Sequence, residues 1–84
     1  MKHHAIENLG IGTDIVKIDR FKNKPYSKNQ TFYKKLFLTS EIKYCLKFKN
    51  SAQHFAGKFA IKEAAKKSVY PNISFLDMET YYLN

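Results

Sequence analysis

One cysteine, one arginine, seven acidic residues and no long apolar run are the scarcities of this 84-residue chain. Each closes off a class of protein. A lone Cys45 excludes an intrachain disulfide and fits a reducing compartment. It sits in a helical pattern and reads as a small core residue rather than a nucleophile. No stretch approaches the roughly eighteen apolar residues of a transmembrane helix. No hydrophobic region follows Met1-Lys2-His3-His4 to make a signal peptide. A cytoplasmic protein with no membrane partner is the expectation. The chain also lacks an internal repeat and a low-complexity linker, so residues 1–84 read as one small domain. A domain this short is marginal alone, and oligomerisation would help complete its core.

What is present is aromatic and basic. Seven Phe and six Tyr make a core possible. Fifteen basic residues against seven acidic ones give a formal charge of +8, which favours an acidic partner: nucleic acid, an anionic surface, a phosphate-rich small molecule or an acidic protein. Aromatics and lysines interleave, but no known nucleic-acid motif appears, so no nucleic-acid partner is expected.

Residues Ile6 to Val16 alternate like a strand, with Leu9, Ile11, Thr13 and Ile15 on one face. Gly10, Gly12, Asp14 and Val16 share the other. The two glycines either leave room for a ligand beside Asp14 or mark a bulge after which Asp14 begins a turn. They are no dinucleotide fingerprint, because the third glycine and the following helix pattern are missing. Lys17 to Asn23 reads as a short helical turn that Pro25 stops. A helix is expected from Ser27 to Phe37. A second, capped by Thr39 or Ser40, is expected from Glu41 to Lys49, its apolar residues being Ile42, Cys45, Leu46 and Phe48; Glu41 suits its positive start. Ile73 to Leu83 reads as a strand. Its free edge and underside, with Phe75, Met78 and Tyr82, are expected to lie exposed in a monomer.

The longest helix is expected from Ser51 to Ser68. With Ala52 at zero and about 100° of turn per residue, Phe55, Ala56, Phe59 and Ala60 fall within about 80° of one direction. Glu63 falls at about 20°, inside that stripe. A carboxylate there needs a partner or a cation. Its nearest cations by sequence are Lys66 and Lys67. Two readings stand: an exposed pair with Lys67, or a metal ligand or general base.

These pieces, in this order, resemble the holo-acyl-carrier-protein synthases, the small bacterial-type 4′-phosphopantetheinyl transferases. Gly10-Ile11-Gly12-Thr13-Asp14-Ile15-Val16, then Ile18-Asp19-Arg20, looks like that family's opening strand. Phe37-Leu38-Thr39-Ser40-Glu41, then Tyr44-Cys45, is similar to its second motif. Phe55 to Ala64, with Lys67 following, matches its signature of Lys-Glu-Ala, two residues, then Lys. Phe75-Leu76-Asp77-Met78-Glu79 looks like its next strand.

The resemblance implies an α+β fold, helices packed on a small antiparallel sheet, and a homotrimer with active sites between subunits. It implies Mg²⁺-dependent transfer of 4′-phosphopantetheine from coenzyme A to a serine of an acyl carrier protein, in fatty acid or polyketide synthesis. Asp14 and Glu63 match the two metal carboxylates, and Glu63 also helps deprotonate the serine. Lys67 matches the lysine near the transferring phosphate. Lys58 and Lys62 are candidates for the coenzyme's phosphates; the plain alternative is two solvated lysines. Arg20 matches a basic position that faces the carrier protein; the plain alternative is a surface arginine paired with Asp19 or Glu41. The chain departs from the family where Arg commonly stands at His54 and Lys58. It departs again after Lys67, where Ser68-Val69-Tyr70-Pro71-Asn72 holds no glycine. About the last third of the family's domain has no counterpart before Asn84, which leaves a second reading: a truncated, non-catalytic relative that binds coenzyme A or an acidic protein.

Overall fold

The computed structural model describes residues 3–7, 15–68 and 71–82. Strand β1 (His3–Glu7) is followed by α1 (Ile15–Lys22), α2 (Gln30–Leu36), α3 (Thr39–Leu46), α4 (Ser51–Ser68) and strand β2 (Met78–Tyr82), with short 3₁₀ turns at Tyr26–Lys28 and Phe75–Asp77. The two strands pair with each other, in register from His3 with Met78 to Glu7 with Tyr82. The pairing is parallel, where an antiparallel sheet was expected. Among the described residues four helices lie between β1 and β2, which supplies the long crossover that parallel pairing requires and rules out a hairpin between them.

The long helix lies where its pattern put it, from Ser51 to Ser68. The opening segment does not. Ile15 and Val16 are already helical, and the strand lies at His3–Glu7; Leu9 to Asp14 lie outside the described residues. β-Branched residues favour a strand locally, but Ile18 and Phe21, three apart, give α1 an inward face. The helix expected from Ser27 is split at Asn29, whose Nδ2 donates to the Pro25 carbonyl at 2.8 Å and so competes with helical bonding. Helix α3 is capped by Leu38, not Thr39 or Ser40, and the apolar Leu46 at its end is exposed. Strand β2 starts only at Met78, after a 3₁₀ turn. Met78 is buried, against the expectation of an exposed underside, and Phe75 is half-buried. The side chain of Tyr82 lies outside the described residues.

The core is aromatic. Phe21 of α1 sits 5.7 to 6.2 Å, centroid to centroid, from Phe32, Tyr33, Phe37, Phe55 and Phe59. Tyr33 meets Phe55 edge-on at 4.6 Å and donates its hydroxyl to the Lys24 carbonyl at 2.5 Å. A buried Tyr needs such a partner, and burial pushes its hydroxyl pKa up to about 12. Ile42 and the fully buried Cys45 close the floor from α3. Among the described residues no helix is long and apolar enough to cross a membrane.

His54, at the start of α4, is 6% exposed and stacks on Phe48 at 3.8 Å. Its Nδ1 has no partner among the described residues. Burial, then the nearby Lys58, lowers its pKa from 6.5. The folded state therefore resists a proton that the unfolded chain accepts. This contribution is favourable above about pH 6.5 and erodes as pH falls below it. Urea midpoints measured at pH 7.5 and 5.5 should drop in the parent chain. His54→Phe, which keeps the stacking and removes the titration, should show a smaller drop.

Candidate active site

One buried carboxylate organises the approach to the site. Glu41 is 2% exposed. Its Oε1 accepts from the Leu38 N–H at 2.8 Å and from Lys62 Nζ at 2.5 Å. Its Oε2 accepts from the Thr80 N–H at 2.8 Å and the Thr80 hydroxyl at 2.6 Å. The four bonds tie the start of α3 to α4 and β2. Lys62 completes the arrangement by donating to the carbonyls of Leu36 at 2.9 Å and Phe75 at 3.0 Å. All three ammonium protons are thereby satisfied. Burial lowers the Lys62 pKa, and the bond to Glu41 opposes that shift.

Lys62 is the middle rung of a ladder. Lys58, four residues earlier, donates to the Thr80 carbonyl at 2.9 Å and hydroxyl at 3.1 Å. Lys66, four residues later, donates to the Ile73 carbonyl at 2.8 Å. Three lysines on one face of α4 thus hold the segment from Ile73 to Thr80 alongside the helix, running against it. Lys58 and Lys62 are 1% and 0% exposed. Both were expected to meet the coenzyme's phosphates; in this structure their ammonium groups are engaged inside the fold.

This placement turns Glu63 outward. From His54 to Phe59 every residue of α4 is buried. Beyond Phe59 the only buried residue is Lys62. The inward direction in that half is therefore set by Lys62, and Glu63 lies about 100° around the helix from it. Glu63 flanks the seam with α1, where the Lys17 ammonium hydrogen-bonds to its Oε1. Neither Lys66 nor Lys67, the sequence neighbours expected to pair, makes that bond. The Lys17 bond holds the Glu63 carboxyl below the usual carboxylate range. Partial burial opposes the shift, and Lys67 and Arg20 add to it. The carboxylate is therefore ionised at neutral pH.

The structure thus brings Glu63, Lys67 and Arg20 into one electrostatic neighbourhood and adds Lys17, which spacing did not reveal. A sequence signal for Lys17 existed only in hindsight, as the basic residue one turn before Arg20. Arg20 and Lys67 are exposed. Glu41 is not available to Arg20, because Lys62 occupies it. Asp14 lies outside the described residues; in sequence it immediately precedes α1. Among the described residues no group of three or more His, Cys, Asp or Glu stands together as a metal cluster. Mg²⁺, however, is commonly held by one or two carboxylates plus substrate phosphates. A single ionised, partly exposed carboxylate fits that use. A separate groove of about 400 Å³ lies at the other end of α1, between Phe21, Lys22, Tyr26, Tyr33 and Leu46.

The family model of the 4′-phosphopantetheinyl transferase superfamily matches residues 10–83. The chain belongs to that superfamily. Similar curated relatives carry the name holo-[acyl-carrier-protein] synthase. That of Geobacter sp. (strain M21) is 42% identical over 74 residues, covering 83% of this chain and 59% of the relative. That of Protochlamydia amoebophila (strain UWE25) is 41% identical over 75 residues, covering 84% and 62%. That of Clostridium novyi (strain NT) is 42% identical over 74 residues, covering 84% and 53%. The chain therefore spans between about half and three fifths of the length of these relatives. No solved structure is a significant match. In this chain the helix α4 that carries Lys62-Glu63-Ala64 does two jobs with adjacent residues. Lys62 anchors the fold and Glu63 faces the seam.

The internal pair can be tested apart from the site. Lys62→Met leaves the Glu41 carboxylate buried without its cation and should cost about 3–5 kcal/mol. Glu41→Met combined with Lys62→Met removes both charges and should recover a large part of that loss. The recovery stays incomplete, because the N–H groups of Leu38 and Thr80 lose their acceptor. A double-mutant cycle in urea reads the coupling, and strictly additive losses would show that the pair is not one unit.

Proposed function

We propose that this chain transfers 4′-phosphopantetheine from coenzyme A to a serine of an apo-acyl carrier protein, releasing adenosine 3′,5′-bisphosphate. The observation that carries the reading is the ionised Glu63 carboxylate on the α1–α4 seam, in the field of Arg20 and Lys67, in a chain of this superfamily. The serine oxygen attacks the phosphorus that bears pantetheine. That P–O bond forms as the bond to the adenosine bisphosphate breaks, and the serine proton passes to Glu63, directly or through water. The Lys67 ammonium offsets charge on the transferring phosphate. Asp14 and Glu63 would hold Mg²⁺, which when bound neutralises the pyrophosphate. Lys58 and Lys62 have no part in coenzyme binding in this scheme; they set the rotation of α4.

The partner is read as an acidic carrier protein received on α1 and the turn after it, where Arg20, Lys22 and Lys24 are exposed and Lys22 borders the groove. A cytoplasmic homotrimer accompanies the reading. Binding of coenzyme A without turnover is the second reading, and one observation favours it: Lys17 already neutralises Glu63.

Incubation with apo-acyl carrier protein, coenzyme A and Mg²⁺ should add the phosphopantetheine mass to the carrier, read by mass spectrometry. Glu63→Gln should lower that rate by at least about a hundredfold, the usual scale of a lost general base, with the fold intact by circular dichroism. Coenzyme A binding without any mass increment would favour the second reading.

The carrier surface has its own test. Arg20→Glu should raise the KM for the carrier protein several-fold with little change in the KM for coenzyme A. Added salt should mimic the first effect, since exposed charges are screened over about 8–10 Å near physiological ionic strength. Equal losses for both substrates would assign Arg20 to the fold or to the coenzyme.

A further inference from the structure

The ion pair between Lys17 and Glu63 crosses two helices, and both side chains are about a quarter exposed, at 25% and 28%. A pair so placed is neither sealed in the core nor fully solvated. The Lys17 ammonium is bonded to Oε1 of the carboxylate. A divalent cation held by this carboxylate would stand about 2.0–2.1 Å from its oxygen, close enough to a like-charged ammonium that the two compete for the group. The lysine has somewhere to go. Its Nζ is 5.9 Å from the centroid of the Phe59 ring, at the outer limit of a cation–π contact, and its four-carbon stem is flexible.

We propose that Lys17 is a built-in counter-ion that occupies the cation seat of Glu63, so that a divalent cation binds by displacing its ammonium. The residue thereby sets the divalent-cation affinity of the site. This inference rests on the reading of Glu63 as a metal carboxylate. Arg20 and Lys67 stay in place around the carboxylate, so replacing Lys17 alters one term of the local charge and leaves the others.

The test uses Mn²⁺ as probe, with free ion counted by electron paramagnetic resonance, on the full 84-residue chain. Lys17→Met should bind Mn²⁺ about tenfold more tightly than the parent, equivalent to about 1.4 kcal/mol. Lys17→Gln, which keeps a polar head without charge, should tighten binding in the same direction and covers the case in which the Met variant does not fold. Lys17→Arg should bind as the parent does, and Glu63→Gln should lose binding. Mn²⁺ affinity that is unchanged or weaker in both uncharged variants overturns the counter-ion proposal and leaves the metal reading of Glu63 standing. Mn²⁺ binding that is absent throughout, or indifferent to Glu63→Gln, overturns both.

Discussion

The buried pair of Glu41 and Lys62 is the constraint on which the rest of this structure depends. Two charges with 2% and 0% exposure carry a desolvation cost of several kcal/mol each. They are tolerated because every lone pair and proton nearby is matched: four bonds to the carboxylate and three from the ammonium. Such a pair is weak evidence for stability as such. Its stronger effect here is geometric. An apolar contact tolerates some sliding and rotation, whereas a three-donor ammonium between the Leu36 carbonyl, the Phe75 carbonyl and a carboxylate admits one setting of the helix. Lys58 and Lys66 repeat the constraint a turn to either side, so the axis, rotation and depth of α4 are fixed against the chain that follows it.

The same ladder changes the meaning of the chain's charge. Fifteen basic residues look like a surface prepared for an acidic partner. Lys58 and Lys62 are inside, Lys66 donates to a carbonyl, and Lys17 sits on Glu63. The cations left to steer a partner are a smaller set, of which Arg20, Lys22 and Lys24 belong to α1 and the turn after it. The net charge of +8 is unchanged by this, because a hydrogen-bonded ammonium keeps its charge; what shrinks is the number of ammonium groups that can contact a partner directly.

Helix α4 was legible to its termini, because eighteen residues of helical pattern lie between Asn50 and the stop at Pro71. Its family signature was legible for the same reason. What the pattern misled on was direction. A single apolar stripe through Phe55, Ala56 and Phe59 put Glu63 inward and left the lysines to solvent. The run from His54 to Phe59 is enclosed on all sides, so those residues carry no information about which way the second half faces. Lys62 lies only about 20° from Phe55 on the helical wheel, and that was the available clue. Charge made it look external. Parallel pairing of β1 with β2 was illegible for a different reason: periodicity reports that a strand exists, not which distant strand it meets. The helical start at Ile15 was hidden by β-branched residues, which are locally strand-like and were overruled by the packing of Ile18 and Phe21.

Adjacent residues in a helix point about 100° apart, and this chain uses that step to separate two kinds of electrostatics. At Lys62 the ion pair is dry, fully bonded and geometrically unique. At Glu63 it is partly wet, made by one flexible lysine, and bordered by two further cations. The first arrangement resists change because breaking it strands a buried charge. The second permits change because solvent and a neighbouring ring can receive the released ammonium. On the proposed reading, Glu63 exchanges its cation during the reaction, which calls for a pair of the second kind on a fixed backbone. Its place one residue from the first kind would meet both demands: rigidity is delivered through the backbone of α4, while the partly exposed side chain would trade one cation for another.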